Sequence, residues 1–211
     1  MIIFDMDDTL IKGRTIHVIG EKKGFLDEVL RLEESSIVSY KKNKKIAKLL
    51  KGLTLDECLE IFRMIPLQDH LTEVLETIKN KGLKTGVVTN SYQFLADDLK
   101  KRLGLDYAVG NILVADKNRV ITGELKIRNK EPTVKRYEGC RQHPICKKII
   151  LQELSRETGV PITDIIAVGD GPIDICMLRE AGLGVAYKAA ERVQRSSDIS
   201  INDLREILKY I

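Results

Sequence analysis

The chain has 211 residues, 43% hydrophobic and 31% charged, which suits one sizeable core with a smaller insertion and a soluble globular balance. A net charge of +4 is far from the concentrated basic face that nucleic-acid binding needs, and no apolar run is long enough to span a bilayer. There is no basic, apolar leader, and four scattered cysteines are too few for a disulfide framework, so a cytosolic (cytoplasmic) setting is expected.

In chain order, residues 1–4 read as a buried strand that runs straight into Asp5, Asp7 and Asp8. Residues 12–66 carry no buried-strand pattern. Helical stretches over 25–32, 40–50 and 55–65, the last behind Thr54 as N-cap, make them a helical insertion over the end of the first strand. Leu71, Val74, Leu75 and Ile78 then recur at helical spacing up to Gly82. Residues 84–88 give a second strand ending in Thr89-Asn90-Ser91, which reads as a helix N-terminus. A weaker strand near 112–114 precedes turn signals at Asp116-Lys117-Asn118 and Thr122-Gly123, so 120–127 reads as a β-hairpin flap before a polar loop reaching Pro144. Lys147 opens the next helix. Strands at 165–168 and 184–186 follow, the former ending in Gly169-Asp170-Gly171-Pro172-Ile173-Asp174. Ile201, Leu204, Leu208 and Ile211 close the chain at helical spacing. This alternation predicts a Rossmann-like α/β fold, a parallel sheet with helices on both faces. The core is 1–11 with 67–211, and 12–66 is a helical cap.

Ligands of open α/β sheets bind beyond the carboxyl ends of the strands, where these acids must lie. Three strand ends thus offer two sets of acids and a hydroxyl, with one lysine nearby. Gathered carboxylates repel one another unless a cation neutralises them, and hard oxygen ligands suit Mg²⁺.

With Asp5-Met6-Asp7-Asp8-Thr9, Thr89, Lys147 and Gly169-Asp170-Gly171-Pro172-Ile173-Asp174 in that order, the chain resembles the haloacid dehalogenase-like hydrolases, most of all their phosphoserine phosphatase-like branch. The likeness extends through Leu103-Gly104-Leu105-Asp106-Tyr107-Ala108 and residues 203–208. It implies an Mg²⁺-dependent phosphatase acting on a small phosphorylated metabolite. Asp5 would be the nucleophile. Asp7 would protonate the leaving alcohol and then activate water. Thr89 and the Asn90 N–H would hold phosphate oxygens, and Lys147 would offset charge. The resemblance further implies Mg²⁺ held by the Asp5 carboxylate, the Asp7 carbonyl and Asp170, with Asp174 acting through water or Lys147. The same aspartyl-phosphate would serve a phosphotransferase, and a non-catalytic phosphate-binding protein is the reading from another class.

The chain departs from that branch where the substrate's amino acid would be read. Arg14 stands where a Glu is usual and His17 where another acid is common. The position of a carboxylate-binding cap arginine falls near Ile46, beside Lys44 and Lys45. Arg14 is expected to face the leaving group and to favour an anionic or polyhydroxyl phosphomonoester over phosphoserine. Cys140, His143 and Cys146 could be three zinc ligands, but with no fourth nearby a polar loop with incidental thiols is expected. Lys41, Lys42, Lys44, Lys45 and Lys48 read as a solvated helix face, and His70 and Cys58 as structural.

Overall fold

The computed structural model describes residues 1–135 and 140–211; residues 136–139, within the expected polar loop, lie outside them. Strand β1 is Ile2–Phe4, followed by helices α1 (Thr15–Lys23), α2 (Leu26–Glu34), α3 (Ser39–Leu49), α4 (Leu55–Arg63) and α5 (Leu71–Asn80). Then come β2 (Thr85–Tyr92), α6 (Gln93–Leu103), β3 (Tyr107–Ala115) and β4 (Ile121–Lys126). The chain continues through α7 (Lys147–Thr158), β5 (Ile166–Gly169), α8 (Ile175–Leu178), β6 (Leu183–Tyr187), α9 (Glu191–Gln194) and β7 (Ile199–Ile201). The strands form one sheet in the order β4-β3-β2-β1-β5-β6-β7, parallel except for the antiparallel β3–β4 hairpin. Among the described residues no helix is long and apolar enough to cross a membrane.

The first strand is central, and its alternation sorts the core. Ile2 and Phe4 face one apolar cluster with Val87, Val168 and Val185, covered by Leu71, Val74 and Ile78 of α5. Ile3 faces the other, with Val88, Ala167 and Ala186 under Ile150, Leu151 and Leu154 of α7. All three residues of β1 are fully buried, each burial contributing about 2 kcal/mol, so this short strand holds its place by packing on both faces. Register follows. Phe4 is paired with Val87 on one side and Val168 on the other, which brings Asp5, Thr89 and Asp170 to one edge of the sheet.

Helices α1–α4 are inserted between β1 and α5. The chain leaves at Ile11 and returns at Leu67 in an antiparallel bridge, with Lys12 N–H donating to Pro66 O (2.8 Å) and Gln68 N–H to Leu10 O (3.0 Å). The far end of the insertion meets the hairpin, where Ile121 N–H donates to Leu53 O (2.8 Å) and Gly52 N–H to Ile121 O (3.0 Å).

Several elements differ from expectation, and residues 120–127, expected as a hairpin, form one strand whose hairpin partner is β3. The insertion has a fourth helix, α1, whose N-cap residue Arg14 makes no side-chain cap and whose middle carries Gly20. Strand β2 runs to Tyr92, so Thr89-Asn90-Ser91 are its last turn of extended chain and α6 begins only at Gln93. The C-terminal repeat is not one helix: Ile201 ends β7, and a 3₁₀ turn starts at Leu204 behind Asp203, whose carboxylate accepts from Arg205 N–H (2.9 Å).

Candidate active site

The loop after β1 is held from several sides. Asp8 takes a left-handed conformation (φ 60°), a small strain that Asp tolerates, and its carboxylate accepts from Gly13 N–H (2.9 Å). Gln68 reaches back from the return strand, donating from Nε2 to Asp8 O (2.9 Å) and Ile11 O (3.3 Å) while Tyr187 OH donates to its Oε1 (2.9 Å). These bonds fix where Asp5 and Asp7 point.

Asp5 (5% exposed) and the fully buried Asp174 both accept from Lys147 Nζ, the latter at 2.5 Å. Lys147 is the first residue of α7 and is itself fully buried. Burial works against its charge, but Asp174 and Asp5 outweigh that and hold it protonated. Asp170 joins the group, and one carboxylate oxygen from each of Asp5, Asp170 and Asp174 lies within 4.8 Å of the others. Burial, then repulsion from Asp174, pushes Asp5 well above the usual carboxylate range despite Lys147; the same two causes bring Asp170 up to about 7. Three carboxylates against one lysine leave excess negative charge in a buried space. Their all-oxygen donor set fits a small hard dication.

Asp7 is not part of that cluster. Its Oδ1 accepts from Thr15 N–H (2.9 Å) and from the Thr15 hydroxyl, at the start of α1. Burial raises its pKa, and those two bonds oppose the rise. Thr89 is 1% exposed just past Val88, where the regular pairing of β2 is interrupted, and its Oγ1 accepts from Ser91 N–H (3.0 Å). Asn90 is fixed by Ile145 N–H donating to its Oδ1 (2.9 Å). Gly169 makes room for Asp174: an added Cβ would lie 2.5 Å from the Asp174 Cβ and Cγ.

Arg14 stands beside this site but is engaged: its guanidinium lies 2.8 Å from Glu33 Oε1, while His17 Nε2 is 2.8 Å from Glu33 Oε2. Among the described residues the one cluster of metal-ligating side chains is Asp5, Asp170 and Asp174, so Cys140, His143 and Cys146 do not converge on an ion. The four cysteines form no disulfide. Thr9, Thr15, Gln68 and Glu33 escaped the sequence reading. Thr9, which donates to Asp170 Oδ1 (2.9 Å), was foreshadowed by the acidic motif that contains it; the others lie outside any motif.

An open parallel sheet that gathers three carboxylates, a buried lysine and a hydroxyl along one edge is an α/β protein with a charged site where such sheets bind their ligands, in a chemistry suited to a cation and a phosphate. Residues 1–182 match the haloacid dehalogenase-like hydrolase family, and the chain belongs to that family, on its phosphoserine phosphatase-like branch. It is 34% identical over 206 residues to the phosphoserine phosphatase of Archaeoglobus fulgidus, spanning 96% of this chain and 56% of that relative. The phosphoserine phosphatase of Methanocaldococcus jannaschii is 31% identical over 217 residues, covering all of this chain and 97% of its own. A solved structure described as a phospho-aspartyl intermediate analogue of phosphoserine phosphatase superposes with a TM-score of 0.83 at 31% identity, over 100% of this chain and 97% of that one.

Proposed function

We propose that the chain is an Mg²⁺-dependent phosphatase, cytoplasmic, that hydrolyses a small phosphate monoester through an aspartyl-phosphate on Asp5. The observation that carries this reading is the buried lysine shared by Asp5 and Asp174 within reach of Asp170. An aspartate nucleophile must approach an anionic phosphate, and that approach requires positive charge on both sides. Asp5, Asp170 and the Asp7 carbonyl would hold Mg²⁺, with Asp174 acting through Lys147 or water; the ion, when bound, supplies charge neutralisation at the phosphate.

In this mechanism an Asp5 oxygen attacks phosphorus and the bond to the leaving oxygen breaks. Asp7 gives that oxygen its proton, then takes one from the water that cleaves the acyl phosphate. The raised pKa of Asp7 favours the protonated form that the first step needs. Thr89 Oγ1 and the Asn90 N–H orient phosphate oxygens, and Lys147 offsets their charge. Residues 12–66 act as a cap that closes over the leaving group and excludes water. The paired crossing at Ile11 and Leu67 supports those limits.

For the substrate, Arg14 at the mouth of the cap favours an anionic or polyhydroxyl leaving group. Glu33 offsets part of its charge, so repulsion of the phosphoserine ammonium is weaker than a lone guanidinium would give. The test is a phosphatase screen over phosphomonoesters with Mg²⁺, run beside Asp5→Asn. Activity in the parent and none in the variant is expected, with L-phosphoserine not the best substrate. Appreciable turnover by Asp5→Asn would end the mechanism. A decisive preference for phosphoserine would end the specificity argument alone.

A further inference from the structure

Helix α3 of the insertion is tied to the core at both ends, in two different ways. Beyond its C-terminal end, Gly52 and Leu53 of the following turn bond to Ile121 of β4. Its N-terminal end meets the loop that leads into α7: Ser39 N–H donates to Arg141 O (3.2 Å) and Tyr40 N–H to Gln142 O (3.0 Å). The Ser39 hydroxyl lies 2.9 Å from His143 Nδ1. His143 is 9% exposed, and its backbone is fixed independently of the insertion: Asn129 Nδ2 donates to His143 O (3.0 Å) and Asn129 N–H to Pro144 O (2.8 Å).

This loop runs straight into the chemistry. Two residues beyond His143, Ile145 N–H is held by Asn90, the neighbour of Thr89; two further on, Lys147 reaches Asp5 and Asp174. The ring therefore stands between the inserted helices and the segment that carries the catalytic lysine. Burial, then the charges of Lys147 and Arg141, lower its pKa to about 4, so it is neutral at pH 7 and adds no like charge beside Lys147. Its Nε2 is buried without a partner, which leaves the Nδ1 contact as the ring's polar link to the insertion.

We propose that His143 is a positioning residue: with Ser39 it latches the inserted helices over the site and, through residues 143–147, keeps Asn90 and Lys147 in register with the closed state. This rests on the reading of 12–66 as a cap. It concerns neither zinc nor any step of bond making, and it gives the histidine between the two loop cysteines a role.

The two amide replacements separate the ring's nitrogens, since an Asn amide falls near Nδ1 and a Gln amide near Nε2. Losing one neutral hydrogen bond should raise KM for the best phosphomonoester about fivefold in both Ser39→Ala and His143→Ala, with kcat changing less. The double variant should be no worse than either single one, because both remove the same contact. His143→Asn should restore KM and His143→Gln should not. Hydrogen exchange of the Ser39 and Tyr40 amides, read on the folded protein without substrate, should quicken by a similar factor in His143→Ala. Unchanged exchange in both single variants would overturn the latch and leave the cap reading standing. Faster exchange with unchanged KM would overturn the positioning role together with the cap reading. Rescue by Gln instead of Asn, or additive effects in the double variant, would also overturn it.

Discussion

Replacing Lys147 by Met keeps the volume of a fully buried side chain and removes the one positive charge that Asp5 and Asp174 share. Breaking a buried ion pair by deleting one partner costs about 3–5 kcal/mol, because the other charge stays buried and uncompensated. For a chain of this length each kcal/mol moves the unfolding midpoint by about 2–4 °C, so a fall of about 6–20 °C is expected in chelator at pH 7.5. The loss has a pH signature. Burial and Asp174 already hold Asp5 above its ordinary range while Lys147 pulls it down, and removing the lysine raises it further. A carboxyl with a raised folded-state pKa gains protons first in the folded form, so the deficit is complete above that pKa and shrinks as the pH falls through it. Adding Asp174→Asn removes one of the orphaned charges and should recover a substantial part of the lost stability, with activity still absent. Thermal unfolding followed by circular dichroism on the parent, the single and the double variant is the assay. A Lys147→Met protein as stable as the parent without metal, or a double variant less stable than the single, would refute the reasoning.

Three further outcomes follow from the geometry. Asp7→Asn should slow the single-turnover release of alcohol from alkyl phosphates by about 10²–10⁴ while sparing the single-turnover burst of p-nitrophenol from p-nitrophenyl phosphate, whose leaving group departs unprotonated; equal losses in that first step would remove Asp7 as the acid. Gly169→Ala, whose Cβ would press on Asp174 at 2.5 Å, should cost about 1–3 kcal/mol in urea unfolding and most of the activity; a variant within twofold of the parent in rate and unchanged in stability would contradict that packing. His143, lowered from 6.5 to about 4, contributes full stability above pH 6.5 and loses it as the pH falls toward 4. Between pH 7 and 5 that linkage amounts to about 2 kcal/mol, which His143→Asn should lack; identical losses in both proteins would show the ring titrates freely.

The sheet and the acids were legible because they announce themselves locally. β1, β5 and β6 are unbroken apolar runs, and acids placed directly after the first two of these strands have one edge of an open sheet to occupy. β3 was read short because Gly110 and Asn111 interrupt its apolar pattern, although both are buried. Ile201, the last residue of β7, was read into a helix because it and Leu204 are three apart, and the intervening Asn202-Asp203 turn is a weak signal. The contacts that orient the site were illegible for another reason: they join residues remote in sequence. Thr9 meets Asp170, Gln68 meets Asp8, and Ser39 meets His143 only once the chain has folded back. Arg14 is the instructive case. The resemblance led it to be expected facing the leaving group, but its partner Glu33 belongs to a different helix and changes what its charge does.

The crossing at Ile11 and Leu67 has a consequence for how such an enzyme changes its diet over evolutionary time. Entry and exit of the insertion are stitched to each other, and Gln68 staples the exit to the acidic loop and to Tyr187, so those ends are held by the core itself. A different set of helices spliced between them would inherit an intact phosphate-handling machine. The graft point is not at residue 12, however. Thr15, three residues inside the insertion, carries the hydrogen bonds that orient Asp7. A transplant that keeps the chain through Thr15 should keep the acid aligned, and one that cuts earlier should leave a nucleophile without its proton donor in place.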